Sequence, residues 1–249
     1  MGSRALRWSL PWLLVTLAGI AVFISLGRWQ WHRADERRAQ IAAFAAGSAD
    51  VAHMLGSRSL AEVPRYAPVQ LAGRYDGAHQ FLLDNISRDG RAGFEVLTPL
   101  RLADQPGAQR AAPRVVMINR GWLPFVGGER RQLPDVSLPD ETPVVVTGRV
   151  DHLPVAGLQT GHSAPGASAD WPRLSSFPTT PELARALGSP VEPGQVLLAA
   201  DAAHGFRRDW QPVNAAFTPE RHVAYAVQWW SFAALSAILY VVMTLRTHR

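Results

Sequence analysis

Apolar and polar positions divide this chain into three regimes: an uninterrupted apolar run near each end, and a long stretch of short runs between them. The second apolar run is the longer. From Val223 to Leu245 it holds no Asp, Glu, Lys, Arg or Pro. As a helix it is about 35 Å long, enough to cross a hydrocarbon core roughly 30 Å thick with some tilt. Glu220, Arg221 and His222 mark one end; Arg246, His248 and Arg249 mark the other. Tyr225, Trp229 and Trp230 lie near the first end and Tyr240 near the second, as aromatic rings prefer at the two interfaces. The pattern predicts a transmembrane helix over 222–245, with 246–249 as a tail. A buried core helix is the alternative, and the length and the charged ends argue against it.

The first apolar run, Trp8 to Gly27, carries no charge and spans about 30 Å as a helix. Arg4 and Arg7 precede it, in a tail over 1–7. A cleaved signal peptide is the competing reading. Such peptides have an apolar core of about 7–15 residues, shorter than this run. Arg28-Trp29-Gln30-Trp31-His32-Arg33 follows directly, and the small-residue pattern Ala43-Phe44-Ala45 lies well beyond that charged turn. An uncleaved helix over 8–27 is expected. Ala18, Gly19, Ala21 and Ser25, with Ala226, Ala233 and Ala237 on the last helix, offer surfaces for close approach. Two spans make a hairpin with both termini on one side of the membrane. Arg residues flank both sides, and the charge rule weakens for loops longer than about 60 residues, so charge leaves the sidedness open. Residues 28–50 read as a helical extension, with Ile41 and Phe44 as its apolar contacts.

Residues 51–221 change character. Val51 to Pro64 is a weakly patterned connector with a short helix expected near Ser59. Short β-like runs follow at 68–75, 80–84, 93–101, 114–124, 143–150 and 195–200, with a turn at Arg88-Asp-Gly-Arg91. Runs of this length, punctuated by Gly, Pro and Asp, fit an antiparallel sheet or a small barrel. Pro181 to Leu187 reads as a short helix with Thr180 as N-cap and Pro at the first helical position. Gly157 to Pro172, rich in Gly, Ser, Ala and Pro, reads as a mobile loop. The expected fold class is therefore membrane α+β: two transmembrane helices, an N- and C-terminal hairpin, flanking one β-rich antiparallel sheet or barrel domain.

Composition narrows the function classes. The 249 residues include no Cys, which excludes a disulfide framework, a Cys-based zinc site and covalent CxxCH haem attachment. All 25 basic residues are Arg, for a net charge of +5. They are spread along the chain and flank the apolar runs, which suits a membrane protein and argues against a nucleic-acid partner. GxSxG, GxxxxGK[ST], HExxH and a GxGxxG opening a helix are all absent. No enzyme is expected.

Three stretches carry more information. Leu26-Gly27-Arg28-Trp29-Gln30-Trp31-His32-Arg33 closes the first span. Asn119-Arg120-Gly121-Trp122 ends the most β-rich run. His222-Val-Ala-Tyr-Ala-Val-Gln-Trp-Trp230 opens the second span. In this order, around a β-rich segment, they resemble the Surfeit locus protein 1 family of cytochrome c oxidase assembly factors; Trp171-Pro172-Arg173 also looks like a family element. The resemblance covers nearly the whole chain and implies a chaperone of the respiratory chain that holds or positions haem a, or the nascent haem-bearing subunit, during oxidase maturation. It implies haem a as a transient cofactor and the largest, haem-bearing oxidase subunit as partner besides the lipid bilayer. It further implies a multi-pass protein of the bacterial plasma membrane with an extracytoplasmic central domain, or of the mitochondrial inner membrane in a eukaryote. The family's haem-ligand position corresponds to His222.

The residues around His222 suit that role. On a helix, Tyr225, Ala226 and Trp229 fall at i+3, i+4 and i+7 and share its face. Neutral imidazole is a good iron ligand. Arg28, Arg33 and Arg221 lie near the same membrane surface and can pair with propionates. Gln228, about one turn into the membrane, reads as helix–helix glue or as a hydrogen-bond donor to a haem substituent, with Trp29 and Gln30 as its expected neighbours across the hairpin. The plain alternative for His222 is an interface residue hydrogen-bonded to water or lipid. His32 shares its membrane face as a possible second ligand, although an interface role among the Arg residues is favoured. Arg120 reads as a structural rather than a catalytic residue, an anchor of the domain on its membrane helices or on a partner, and Gly121 as a bulge or close backbone approach. A haem-free, membrane-tethered docking module for an oxidase subunit is the alternative function.

Overall fold

The computed structural model describes residues 3–103, 114–130, 132–138, 143–155, 163–166, 170–212 and 218–247. The chain divides into two compact units, one made of Met1–Ala42 with Gln211–Arg249, the other of Ala43–Trp210. The predicted loop over 157–172 falls largely outside the described residues, apart from 163–166 and 170–172.

The first unit is helical. Helix α1 spans Ser3–Ala49 and helix α3 spans Pro219–Thr247. Both contain stretches long and apolar enough to cross a membrane, Leu10–Gly47 and Pro219–Arg246. Large apolar side chains such as Trp12, Val15, Leu239 and Met243 are exposed along them. That much contiguous apolar surface is a liability in water and is the natural surface of a lipid-facing helix. The two helices meet along a narrow seam. Ala34, Ala226 and Ala233 are buried in it, and Phe23 stacks on Trp229 with centroids 5.8 Å apart. The closest approach on α1 is at Gly27, where an added Cβ would lie 2.2 Å from Trp230 Nε1. Gly19, Ala18 and Ala21 take no part: an added Cβ at Gly19 meets nothing within 4 Å, and both alanines are exposed. The small residues sit on several faces of α1, and only the register against α3 selects which face is used.

The second unit is a mixed eight-stranded sheet with strands β1 (His53–Met54), β2 (Pro68–Tyr75), β3 (Phe81–Arg88), β4 (Arg91–Leu102), β5 (Val115–Pro124), β6 (Val144–Asp151), β7 (Arg173–Ser175) and β8 (Gln195–Leu198). Their order is β1-β2-β6-β8-β5-β4-β3-β7. The β1–β2, β3–β7 and β5–β8 pairs are parallel and the other five pairings are antiparallel, so the expected antiparallel sheet is a mixed one. In addition, Gly73–Tyr75 of β2 pair with Leu100–Leu102 of β4. Pairing thus returns through β2, β6, β8, β5 and β4 by three residue pairs only, which bends the sheet round without making a closed barrel.

The burial patterns follow from this curvature. Strands β2 and β6 alternate, with Val69, Leu71, Val146 and Val150 turned into one core together with Leu100, Val116, Ile118 and Val196. Strands β4 and β5 are covered on both faces, so residues of both faces are buried along Gly93–Leu100 and Val115–Trp122, the polar Glu95, Thr98, Asn119 and Arg120 among them. Helix α2 (Thr180–Leu187) covers Phe81, Leu97 and Met117 with Leu183. Its N-cap is Thr179 rather than Thr180, because Glu182, three residues on, closes a capping box with Thr179; Pro181 is then the second helical residue. The β3–β4 hairpin turns through Asp89 and Gly90, both at positive φ (50° and 73°), as a two-residue turn matched to strand twist requires. Ser59 caps a short 3-10 turn over Leu60–Glu62, as expected. Strands β1 and β7 are two and three residues long, too short to leave a pattern.

Candidate functional site

His222 lies in the first turn of α3, where its N–H donates to Thr218 O at 3.3 Å. Its Nδ1 stands 2.7 Å from Gln30 Oε1 on α1. Among the described residues Nε2 has no hydrogen-bond partner. An amide oxygen only accepts, so a neutral imidazole in this contact carries its proton on Nδ1 and keeps its lone pair on Nε2. This is the arrangement of a metal-binding imidazole whose second nitrogen is held by a neighbour. The predicted neighbour relation is thereby changed: Gln30 meets His222, while Gln228 is exposed and makes no hydrogen bond among the described residues.

The remaining side chains sort by their place on α3. Ala226 and Trp229 belong to the seam against α1, with Trp229 on Phe23 and Phe232. Tyr225 stands outside the seam and is 49% exposed. The face that runs from His222 through Ala226 to Trp229 is therefore covered by α1 and offers no open surface for a flat ligand; Tyr225 borders the open flank. His32 is exposed, away from the seam that Gln30 and Ala34 enter, so the two imidazoles do not face each other. Arg33 is engaged by Glu36 at 2.8 Å and lies over the Trp29 ring, whereas Arg28 is exposed. Among the described residues no group of three or more His, Cys, Asp or Glu is placed to hold a metal ion.

The β domain contributes a second cluster, around Asn119-Arg120-Gly121-Trp122. Glu95 pairs with Trp122 and Leu97 with Asn119, so Arg120 and Gly121 together oppose Val96 in a bulge. Gly121 has φ 113°, and an added Cβ would lie 2.7 Å from Arg207 O. Arg120, only 2% exposed, donates to His204 O (2.7 Å), Gln80 Oε1 (2.9 Å) and Val136 O (3.0 Å), and lies over the Phe206 ring. Burial lowers its pKa to about 10. Burial likewise pushes Tyr75 up to about 12, against the nearby positive charges of Arg120 and Arg208. Asn119, fully buried, donates to Glu95 and Gln195, and its Oδ1 accepts from Gly121 N–H. Phe206 N–H donates to Arg120 O, and Trp122 and Arg207 exchange backbone bonds. The four-residue motif thus pins the segment 204–207 onto the sheet. The role is structural, as expected, but the clamp is internal: Arg120 holds parts of the β domain together, where an anchor on the membrane helices or on a partner was expected.

The described residues of the β domain also line two cavities. One, about 640 Å³, is lined by Leu153, Phe177, Pro178, Thr179 and Glu182, and its Thr179 and Glu182 are the capping pair of α2. The other, about 490 Å³, has Arg149 and Arg208 in its wall; Arg149 lies over Phe44 and Arg208 donates to the carbonyls of Ala199, Ala202 and Phe206. These polar groups serve the fold.

The comparisons agree with the motifs. A search of the curated proteins finds no match. The model of the SURF1 family matches residues 17–234, a span that includes the end of the first apolar run, the whole sheet and most of α3. The chain belongs to the SURF1 family of cytochrome c oxidase assembly factors, and it carries two helices long and apolar enough to cross a membrane.

Proposed function

We propose that this protein holds haem a beside its helix pair while the largest oxidase subunit matures, with His222 Nε2 as the iron ligand. One observation carries the reading: Gln30 holds Nδ1 of His222, while Nε2 has no hydrogen-bond partner among the described residues. Haem a would be the cargo here, and His222 would hold it through its imidazole lone pair. Tyr225, on the exposed flank beside His222, is the residue best placed to border the macrocycle, and Gln228 and Trp229 lie further along the same helix. Arg28 and Arg221 are exposed cations near that end of α3, and their charge suits propionates.

The family supports a plasma-membrane location with an extracytoplasmic β domain. Alkaline phosphatase fused near Ala169 is then active; an inactive fusion overturns the topology. Protein purified from cells that make haem a carries a Soret band, and His222→Ala abolishes it at normal yield. A band of full intensity in that variant removes His222 as ligand. The covering of the His222–Ala226–Trp229 face by α1 favours a second reading, a haem-free module that docks on an oxidase subunit. Under that reading wild-type protein carries no Soret band yet still co-purifies with the haem-bearing subunit.

A further inference from the structure

We infer that Gln30 is a positioning residue for His222: it fixes the tautomer that presents Nε2 as a Lewis base. The inference rests on the reading of His222 as an iron ligand for its purpose, but its geometry stands alone.

The α3 backbone holds the base of the ring. Thr218 caps the helix, its Oγ1 accepting from Arg221 N–H at 3.5 Å and its carbonyl accepting from His222 N–H. What remains free is rotation of the ring and the choice of which nitrogen carries the proton. Gln30 decides both through its 2.7 Å contact. A neutral imidazole has one donor and one acceptor, and a lone amide oxygen is satisfied only by the donor. Gln30 is itself held in place. It lies one turn beyond Gly27, where the missing Cβ admits the Trp230 indole against α1, and Trp31 stacks on that indole at 5.8 Å. The two sequence motifs at the membrane boundary, one on each helix, therefore act as a single unit: the glycine sets the distance between helices, and the glutamine uses it to aim the imidazole. Partners of this kind usually change metal affinity about 10–100-fold when removed.

The test uses full-length protein in lipid nanodiscs, with two readouts. In haem-free protein labelled with ¹⁵N-histidine, the His222 signal, assigned by its loss in His222→Ala, shows the Nδ1–H form. Gln30→Leu shifts it toward the Nε2–H form, and Gln30→Glu, which keeps an acceptor, restores it. In haem titrations Gln30→Leu binds about 10–100-fold more weakly and Gln30→Glu recovers most of the loss. A Gln30→Leu protein with wild-type tautomer and wild-type affinity overturns the inference. If His222→Ala binds haem as wild type does, the ligand reading fails, while the nitrogen spectra still decide the role of Gln30. Equal losses in Gln30→Leu and Gln30→Glu reduce Gln30 to helix packing and overturn the inference as well.

Discussion

Arg120 is a cation buried where alternation along β5 continues the inner row of Val116 and Ile118. Among the described residues no carboxylate pairs with it; three neutral oxygens and a phenyl face hold it. Burial lowers its pKa to about 10, which still leaves it charged at neutral pH. Its worth lies in the acceptors it satisfies, since each buried orphan costs about 1–3 kcal/mol. Arg120→Ala is expected to lower unfolding stability on the order of 3 kcal/mol, read as a drop in denaturant midpoint at unchanged slope. Arg120→Lys recovers only part, because an ammonium cannot reproduce the forked geometry. A structural role for Arg120 and the bulge at Gly121 were legible in the motif. That Arg120 clamps the β domain internally was not, because it depends on the segment 204–207 returning to β5 from scores of residues away.

At the scale of elements, the long runs were readable and the short ones were not. Strand β2 begins and ends where the alternating run does, and β5 begins one residue into its apolar run, because each run is long enough to outvote its neighbours. The predicted strand at 80–84 is longer in the structure, reaching Arg88 through a bulge at Asp84–Asn85 that breaks the alternation. The helix pair offers the sharpest test at this scale. Gly19 and Gly27 are both helical glycines of α1, and an added methyl meets open space at one and the Trp230 ring at the other. Gly27→Ala should cost about 1–3 kcal/mol through overpacking and lower the thermal midpoint in detergent. Gly19→Ala should be neutral or slightly stabilising, since Ala is the better helix former. Equal effects from the two changes would mean that the seam is not packed as described.

For the whole molecule, acid sensitivity belongs to ion pairs that join distant parts of the β domain. Burial works against ionisation of Asp76 and of Glu192. Hydrogen bonds from Arg101 and His79 to the first, and from Arg114, Ser59 and the Leu60 N–H to the second, outweigh it and hold both below their ordinary values of 3.8 and 4.5. A carboxyl lowered on folding contributes stability that is complete above its ordinary value and lost as pH falls through the native one. Domain stability is therefore expected to be level above about pH 5 and to fall below about pH 4, with half-exposed Arg101 limiting the share of Asp76. Denaturant titrations followed by tryptophan fluorescence across this range check it. Asp76→Asn and Glu192→Gln should each flatten the decline, and a decline as steep in the double variant would assign acid sensitivity elsewhere.

Local physics was enough to determine the two apolar helices, the alternating run of β2, the β-rich run of β5, the Asp89–Gly90 turn and the motifs at the membrane boundary. Each depends on residues within a turn or two of one another, and each leaves its period in the sequence. Tertiary structure alone decided that Gln30, not Gln228, reaches across the helix pair, that Gly27 rather than Gly19 sets its spacing, and that α1 covers the face of α3 behind His222. It also decided that β2 bends back to β4 and that β5 runs beside β8 in parallel. These outcomes depend on register between segments separated by scores of residues, where a shift of one position changes the partner of every side chain while the pattern along the chain stays the same.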